Sequence, residues 1–321
     1  MAKGAVALLI RGVTGSWTAE LWTARFKDLC PDRRVVQMPD AAIDPLAVQY
    51  AVVWAPAPGD LQAFAKLRVI FNLGAGVDAL MVDETLPDVP LVRVAVPDLT
   101  SRVSEYVLLH VLMHHRQDPY LRQAQRERRW APRPQWPAAA ITVGIMGLGV
   151  LGSDAAALLA RVGFRVVGWS RGPRQIDGVE CFHGADALDS FLCRTNILVC
   201  LLPLTPDTRK ILNRGVFTRL NRTSRLGAPV VINVGRGALQ DEADILACLD
   251  DGTLGAVSLD VFNEEPLSHA SPLWNHPRVV LTPHNAGATD PIVVSNYVLQ
   301  QITEFEAGGK LENLVDRDRG Y

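Results

Sequence analysis

The chain has 321 residues, 48% of them hydrophobic, which is enough for two domains of ordinary size with a sizeable core. Thirty-two basic residues stand against 34 acidic ones, a net charge of −2 that excludes a general nucleic-acid binder. No uninterrupted apolar stretch reaches the roughly 18 residues that a membrane span needs.

The start, "MAKGAVALLIRG", has too short an apolar run for a secretory signal, so a soluble cytoplasmic protein is expected. "VALLI" reads as a strand and "WTAELWTARFKDL" as an amphipathic helix after it. "RVVQM", "YAVVW", "VIFNL" and "PLVRV" read as further strands. Such alternation predicts a parallel sheet flanked by helices, with working residues at the C-terminal strand ends. Trp54 ends "YAVVW", where it faces a substrate or fills a core.

"TSRVSEYVLLHVLMHHRQ" reads as a long helix. His110 and His114 lie four apart on it, a spacing open to metal ligation or to packing. No acidic residue stands between them as in H-E-x-x-H and their face is apolar, so packing is expected and no metal. The basic run in "RQAQRERRWAPR", residues 122–133, reads as a solvated helix end or as an attractor of anions. The Pro-rich "APRPQWPAA" then breaks the chain.

A second series follows: "ITVGIMGLGVLG", "RVVGWS", "NILVCLLP", "PVVINVGRG", "LGAVSLDVF" and "RVVLTPH". These are six strands of a Rossmann-like sheet with helices between them. "PIVVSNYVLQQITEFEAGG" reads as a last helix. The expected fold is α/β, with two Rossmann-like domains on parallel sheets. Residues 1–98 and 288–321 form a discontinuous substrate domain, into which a cofactor domain, 99–287, is inserted.

In "GIMGLGVLG" the glycines Gly147, Gly149 and Gly152 follow a strand and open a helix, with Leu148, Val150 and Leu151 between them. The first glycine makes a tight turn, the second admits a pyrophosphate, and the third lets helix and strand pack. NAD readers place Asp or Glu at the end of the next strand. This chain has Trp169, Ser170 and Arg171 there, with Arg174 beyond. A carboxylate repels a 2′-phosphate and an arginine pairs with it, so NADP(H) is expected over NAD(H).

The later strand ends deliver loops above the same cofactor. Leu202, Pro203 and Thr208 come from "LLPLTPDT", and Val234 and Gly235 from "INVGRGALQDE". Asp260 comes from "LDVFNEEPL" and Gly287 from "TPHNAGATD". Arg236, between Gly235 and Gly237, presents a rigid fork that takes a carboxylate bidentately or forms a structural salt bridge. Glu264 and Glu265 precede Pro266, and His284 follows Pro283. An arginine, a glutamate and a histidine thus arrive from three successive strand ends.

"NLGAGVD", "GLGVLG", "LPLTPDT", "INVGRGALQDE", "LDVFNEEPL" and "SPLWNHPRVVLTPHNAGAT", in that order, resemble the D-isomer-specific 2-hydroxyacid dehydrogenases nearly end to end. "SPLWNHPRV", "VDRDRGY" and the short N-terminal form point within that family to reductases of small 2-oxo acids. The resemblance implies catalytic roles for Arg236, Glu265 and His284. It also implies that the backbone of Gly74, Ala75 and Gly76 helps hold the substrate carboxylate. His284 is then the proton donor beside a hydride-donating nicotinamide, and a carboxylate near it favours the imidazolium form. Glu265 is preferred to Glu264 for that carboxylate because the family's glutamate directly precedes the proline.

Two departures stand out. Asn285 replaces a usually apolar residue, and Ser104-Glu105-Tyr106 stands where many members have Ala-Glu-His. A homodimer is expected through the long helix and the Trp-rich segment 130–136. The five cysteines form no C-x-x-C pair and suit buried thiols in a reducing compartment. Two other readings share the fold: a dinucleotide-sensing binding protein, and a phosphoglycerate, phosphite or formate type of dehydrogenase.

Overall fold

The computed structural model describes residues 3–11, 17–223 and 225–321. Its first sheet grows from runs of β-branched and apolar residues buried on both faces, as parallel strands require. The strands are β1 (Ala5–Ile10), β2 (Val35–Gln37), β3 (Val48–Trp54), β4 (Val69–Asn72) and β5 (Leu91–Arg93). Their order is β2-β1-β3-β4-β5 and every pairing is parallel. Helix α1 (Ala19–Leu29) starts at Thr18, whose hydroxyl accepts from the Leu21 N–H. It buries Trp22 and Phe26 completely. A short helix, α2 (Asp78–Met81), follows β4.

The chain divides into two units, Met1–Leu99 with Thr289–Tyr321, and Thr100–Ala288. Helix α3 (Pro97–His115) begins in the first and carries the chain into the second. There His110 Nδ1 and His114 Nε2 each lie 2.8 Å from the Ser258 hydroxyl. Their four-residue spacing thus serves a shared hydrogen bond in the interior. Burial pushes both imidazoles down to about 4, against the opposing charge of Asp260 on His110.

After α4 (Asp118–Arg126) the second sheet begins. In chain order its elements are β6 (Thr142–Met146), α5 (Val150–Val162), β7 (Arg165–Ser170), β8 (Val179–His183), α6 (Leu188–Leu192), β9 (Ile197–Cys200), α7 (Arg214–Phe217), β10 (Val230–Asn233), α8 (Glu242–Asp250), β11 (Ala256–Leu259) and β12 (Val279–Leu281). The order β12-β11-β10-β9-β6-β7-β8 is parallel throughout. This sheet has seven strands where the apolar runs predict six. The addition is the edge strand β8, "VECFH", which is only half buried and carries charge. The strand order reverses between β6 and β9, the switch point at which open α/β sheets bind ligands.

The last helix, α9 (Pro291–Glu306), returns to the first unit. Val294, Val298 and Ile302 are buried along it. Glu306 pairs with Arg33 at 2.7 Å and accepts the Tyr50 O–H at 3.0 Å. The Asp290 N–H donates to Asp98 Oδ2 at 3.0 Å, so the chain leaves and re-enters this unit at adjacent points.

Candidate active site

The turn after β6 is built for close backbone approach. Gly147 adopts φ 109°, and its N–H donates to the Trp169 carbonyl at 2.9 Å. A Cβ there would lie 2.8 Å from the Leu201 backbone. One on Gly152 would lie 1.8 Å from the Gly147 carbonyl oxygen, so helix and turn meet only through glycine. Gly149, the cap of α5, differs: a Cβ there would meet no protein atom within 4 Å. Its missing side chain leaves open the approach to the first-turn N–H groups of α5, where an anion is stabilised. The residues thus fit a dinucleotide pyrophosphate. Leu148, in contrast, is 2% exposed and packs on Gly168, so its side chain belongs to the core and only its backbone lines the cradle. Val150 is exposed and Leu151 half-buried on the first turn of α5.

At the end of β7, Trp169 is buried and donates from its indole to the Gly184 carbonyl at 2.9 Å. The Ser170 hydroxyl donates to the Gly172 carbonyl at 2.8 Å. Arg171 and Arg174 are exposed beyond it.

Leu202 abuts the Gly147 turn at the end of β9. Thr208 closes the loop that follows. Its hydroxyl donates to the Pro203 carbonyl at 2.7 Å and accepts the Thr205 N–H at 2.8 Å, which commits it to the loop's shape. From β10, the Val234 N–H donates to the Cys200 carbonyl at 3.1 Å. Asn233 is fully buried. Its side chain binds the Gly235 N–H, the Arg236 carbonyl and Gln240 Oε1 at 2.8–3.0 Å. Gln240 in turn donates to the Val261 carbonyl at 3.0 Å, and Glu242 accepts the Asn263 N–H at 2.9 Å. These contacts join the Arg236 loop to the Glu265 loop. Gly237 permits the join, because a Cβ there would sit 1.8 Å from the Phe262 carbonyl oxygen. The glycines flanking Arg236 therefore serve close packing: a Cβ on Gly235 would meet Leu239 and the Leu202 carbonyl, and one on Gly237 the Phe262 backbone. Arg236 is half-buried, and its Nη1 donates to the Gly235 carbonyl at 2.9 Å.

Asp260, 1% exposed, organises the last loop. Its carboxylate accepts the Thr282 hydroxyl at 2.7 Å and the Asn285 and Ala286 N–H groups at 3.0 Å each. Its carbonyl accepts the His284 N–H at 2.8 Å. Asn285 is thus held by its backbone while its side chain is exposed, so an amide replaces an apolar group there without disturbing the core. Gly287 lies half-buried one residue beyond the Asp260 contacts. His284 itself adopts φ 50°. Its Nδ1 lies 2.7 Å from Glu265 Oε2, while Glu265 Oε1 accepts the Phe262 N–H at 3.0 Å. Burial alone would raise the Glu265 carboxyl. The hydrogen bond and charge of His284, the Phe262 N–H and the charge of Arg236 together outweigh it and hold the carboxyl below its usual value. Glu264 is exposed, and Glu265 is the residue that meets the imidazole. A carboxylate only accepts, so Nδ1 carries the proton toward Glu265 and Nε2 is left for chemistry.

In the first unit, Trp54 packs against Gly74, where a Cβ would fall 2.6 Å from the indole ring. The Asn72 amide donates to the Gly74 and Gly76 carbonyls at 2.9 Å each and fixes the turn that holds Ala75. Asn72, Asn233, Gln240 and Glu242 are site-shaping residues that motif reading passed over. For Asn72 and Asn233 the signal is a polar residue closing a buried strand, whereas Gln240 and Glu242 stand at the entry to α8 and carry no such mark.

Residues 108–286 match the family described as D-isomer specific 2-hydroxyacid dehydrogenase, NAD binding domain. The chain is 40% identical over 309 residues to glyoxylate/hydroxypyruvate reductase A of Yersinia enterocolitica, covering 94% of this chain and 96% of the relative. It is similar to the NADPH-dependent glyoxylate/hydroxypyruvate reductase of Sinorhizobium meliloti, solved with NADP and sulfate. That match has a TM-score of 0.93 and 45% identity, over 99% of this chain and 100% of the other. A 2-hydroxyacid dehydrogenase from Xanthobacter autotrophicus, solved with NADPH and MES, matches at TM-score 0.91 and 40% identity, with both chains fully covered at 100%.

Proposed function

The chain belongs to the D-isomer specific 2-hydroxyacid dehydrogenase family, and on that premise we propose that it reduces small 2-oxo acids with NADPH in preference to NADH. The proposed reactions are glyoxylate to glycolate and hydroxypyruvate to D-glycerate. The observation that carries this reading is the 2.7 Å pair between Glu265 and His284, on whose carboxylate the charge of Arg236 also acts. Three strand ends supply those three residues, each loop pinned by buried polar side chains. The NADPH preference rests on the arginines at the end of β7 and on solved relatives that hold NADP or NADPH.

Gly147, Gly149 and Gly152 would hold the pyrophosphate of NADPH, and Ser170, Arg171 and Arg174 its 2′-phosphate, and the cofactor so held would supply a hydride for the keto carbon. Arg236 binds the substrate carboxylate and polarises the keto oxygen as negative charge develops there. Trp54 and the backbone of Gly74, Ala75 and Gly76, fixed by Asn72, are assigned to the same substrate. His284 delivers its Nε2 proton to the forming alkoxide. Glu265 stays on Nδ1 and fixes the ring.

A panel of small 2-oxo acids assayed with NADPH and NADH tests the reading. Turnover of glyoxylate and hydroxypyruvate with higher kcat/KM for NADPH is expected. Quenching of nicotinamide fluorescence without turnover of any 2-oxo acid would instead make the chain a dinucleotide sensor.

The reading extends to a cytoplasmic homodimer. The five cysteines are all unpaired, as a reducing compartment keeps them. Leu109 on α3, Leu121 on α4 and Trp130, which is 97% exposed, are the exposed apolar residues assigned to contact with a second copy. Sedimentation at micromolar concentration showing only a 35.0 kDa species overturns the dimer.

A further inference from the structure

Behind His284 a chain of hydrogen bonds runs into the interior. The Thr282 hydroxyl donates to Asp260 Oδ1 at 2.7 Å. A carboxylate has no proton to give, so the one hydroxyl proton of Thr282 is committed there. The Tyr106 hydroxyl lies 2.6 Å from the same Thr282 oxygen and is therefore the donor in that contact. The direction is fixed, from Tyr106 to Thr282 to Asp260.

Asp260 then receives the backbone N–H of all three residues at the tip of the loop. His284 donates to its carbonyl, and Asn285 and Ala286 donate to its carboxylate. His284 sits in the left-handed region, a conformation that a non-glycine residue adopts only at a cost. Such a conformation persists only where the surroundings over-determine it. The Tyr106 ring is itself fixed, stacked on His110 with centroids 4.1 Å apart. His110 and His114 meet on Ser258, the residue two before Asp260 in the strand and loop of β11. Burial holds the Tyr106 phenol protonated and both imidazoles neutral, so the donors and acceptors keep their roles at neutral pH.

We propose that Tyr106 and Thr282 are positioning residues for the proton donor: their hydrogen bonds to Asp260 hold the loop that presents His284 to Glu265. This rests on His284 being the proton donor. Neither side chain reaches the reacting atoms in this role. Each acts by fixing the carboxylate on which residues 284–286 hang.

The test uses Tyr106→Phe, Thr282→Val and Thr282→Ser in the full-length protein, alone and combined with His284→Ala. Tyr106→Phe deletes one hydroxyl and leaves the ring stack in place. It is expected to lower kcat on the order of tenfold, the scale of a small misplacement of a catalytic group. KM for the 2-oxo acid and the affinity for NADPH should stay unchanged. Thr282→Val should lower kcat at least as much, and Thr282→Ser, which keeps the hydroxyl, should restore it. In the His284→Ala background Tyr106→Phe should have no further effect, because no imidazole remains to be placed. Wild-type kcat in both Tyr106→Phe and Thr282→Val, beside a crippled His284→Ala, overturns the inference alone. An equal further loss in the His284→Ala background also overturns it, since the tyrosine would then act on the whole site. His284→Ala with wild-type kcat overturns the proton-donor reading, and the inference with it.

Discussion

Adding one methyl group at Gly237 should separate the two loops that carry the arginine and the glutamate. The backbone conformation there suits any residue; the obstacle is space. An ideal Cβ falls 1.8 Å from the Phe262 carbonyl oxygen and 1.9 Å from its carbon, where real contacts stop near 3.0 Å. In Gly237→Ala the loops must therefore part by about 1.2 Å, the difference between 3.0 and 1.8 Å. A misplacement of about 1 Å in a catalytic constellation costs on the order of 10²-fold in rate, and kcat should fall by that much. KM for the 2-oxo acid should rise, since Arg236 moves with the loop. Overpacking of this kind destabilises by about 1–3 kcal/mol, so the variant should melt lower but fold. Gly149→Ala is the matched control. Its Cβ meets no protein atom within 4 Å, so it should melt like wild type and lose affinity for NADPH. Steady-state oxidation of NADPH with glyoxylate, fluorescence titration with NADPH and thermal melts read all three quantities. A Gly237→Ala protein with wild-type kcat and KM would refute the argument from loop contact.

His284→Ala should lower kcat by roughly 10²–10⁴-fold with little change in KM, the usual size of a lost acid–base group; retention of activity would remove His284 from the chemistry. Arg236→Lys keeps the charge but loses the fork, so KM should rise and kcat fall together, and a change in neither would point to a structural arginine. Glu265→Gln removes the negative charge 2.7 Å from His284 Nδ1. The wild-type carboxyl is held below its usual value and keeps the ring through a charge-assisted bond. The amide loosens that hold, so kcat should fall while KM for the 2-oxo acid stays unchanged, and steady-state rates equal to wild type would deny Glu265 this role. Arg171→Asp should weaken the use of NADPH and spare NADH, and a wild type that already prefers NADH on kcat/KM would contradict the assignment.

The strands that deliver the site were legible because each is an apolar run followed by a small or polar residue. "PVVIN", "VSLD" and "RVVL" end where Arg236, Asp260 and His284 enter. The edge strand β8 was not, because Glu180 and His183 cut its five residues into pieces too short to read as an apolar run or as an alternating one. The pair of histidines on α3 shows the other limit. Their spacing puts them on one face, but the partner on that face is Ser258, more than 140 residues away in the chain. Tyr106 and Thr282 are 176 residues apart, and no local pattern announces their contact. The glycines beside Arg236 were visible, yet their reason was not, since the Phe262 backbone against Gly237 belongs to another strand end.

The return of α9 to the first sheet has a consequence for biosynthesis. The first 99 residues cannot complete their core when they leave the ribosome, because the helix bearing Val294, Val298 and Ile302 is made only after the whole of the other unit. The middle unit, Thr100–Ala288, is whole before that helix exists, and folding domain by domain during synthesis favours its forming first. Left as a random coil, that stretch would be a long loop whose closure is an entropic penalty. Once folded, it replaces the loop with a body whose flanks meet at the Asp98–Asp290 hydrogen bond. Late arrival of the tail then becomes a short-range docking event, and a chain stalled before residue 289 leaves its first sheet without the last helix.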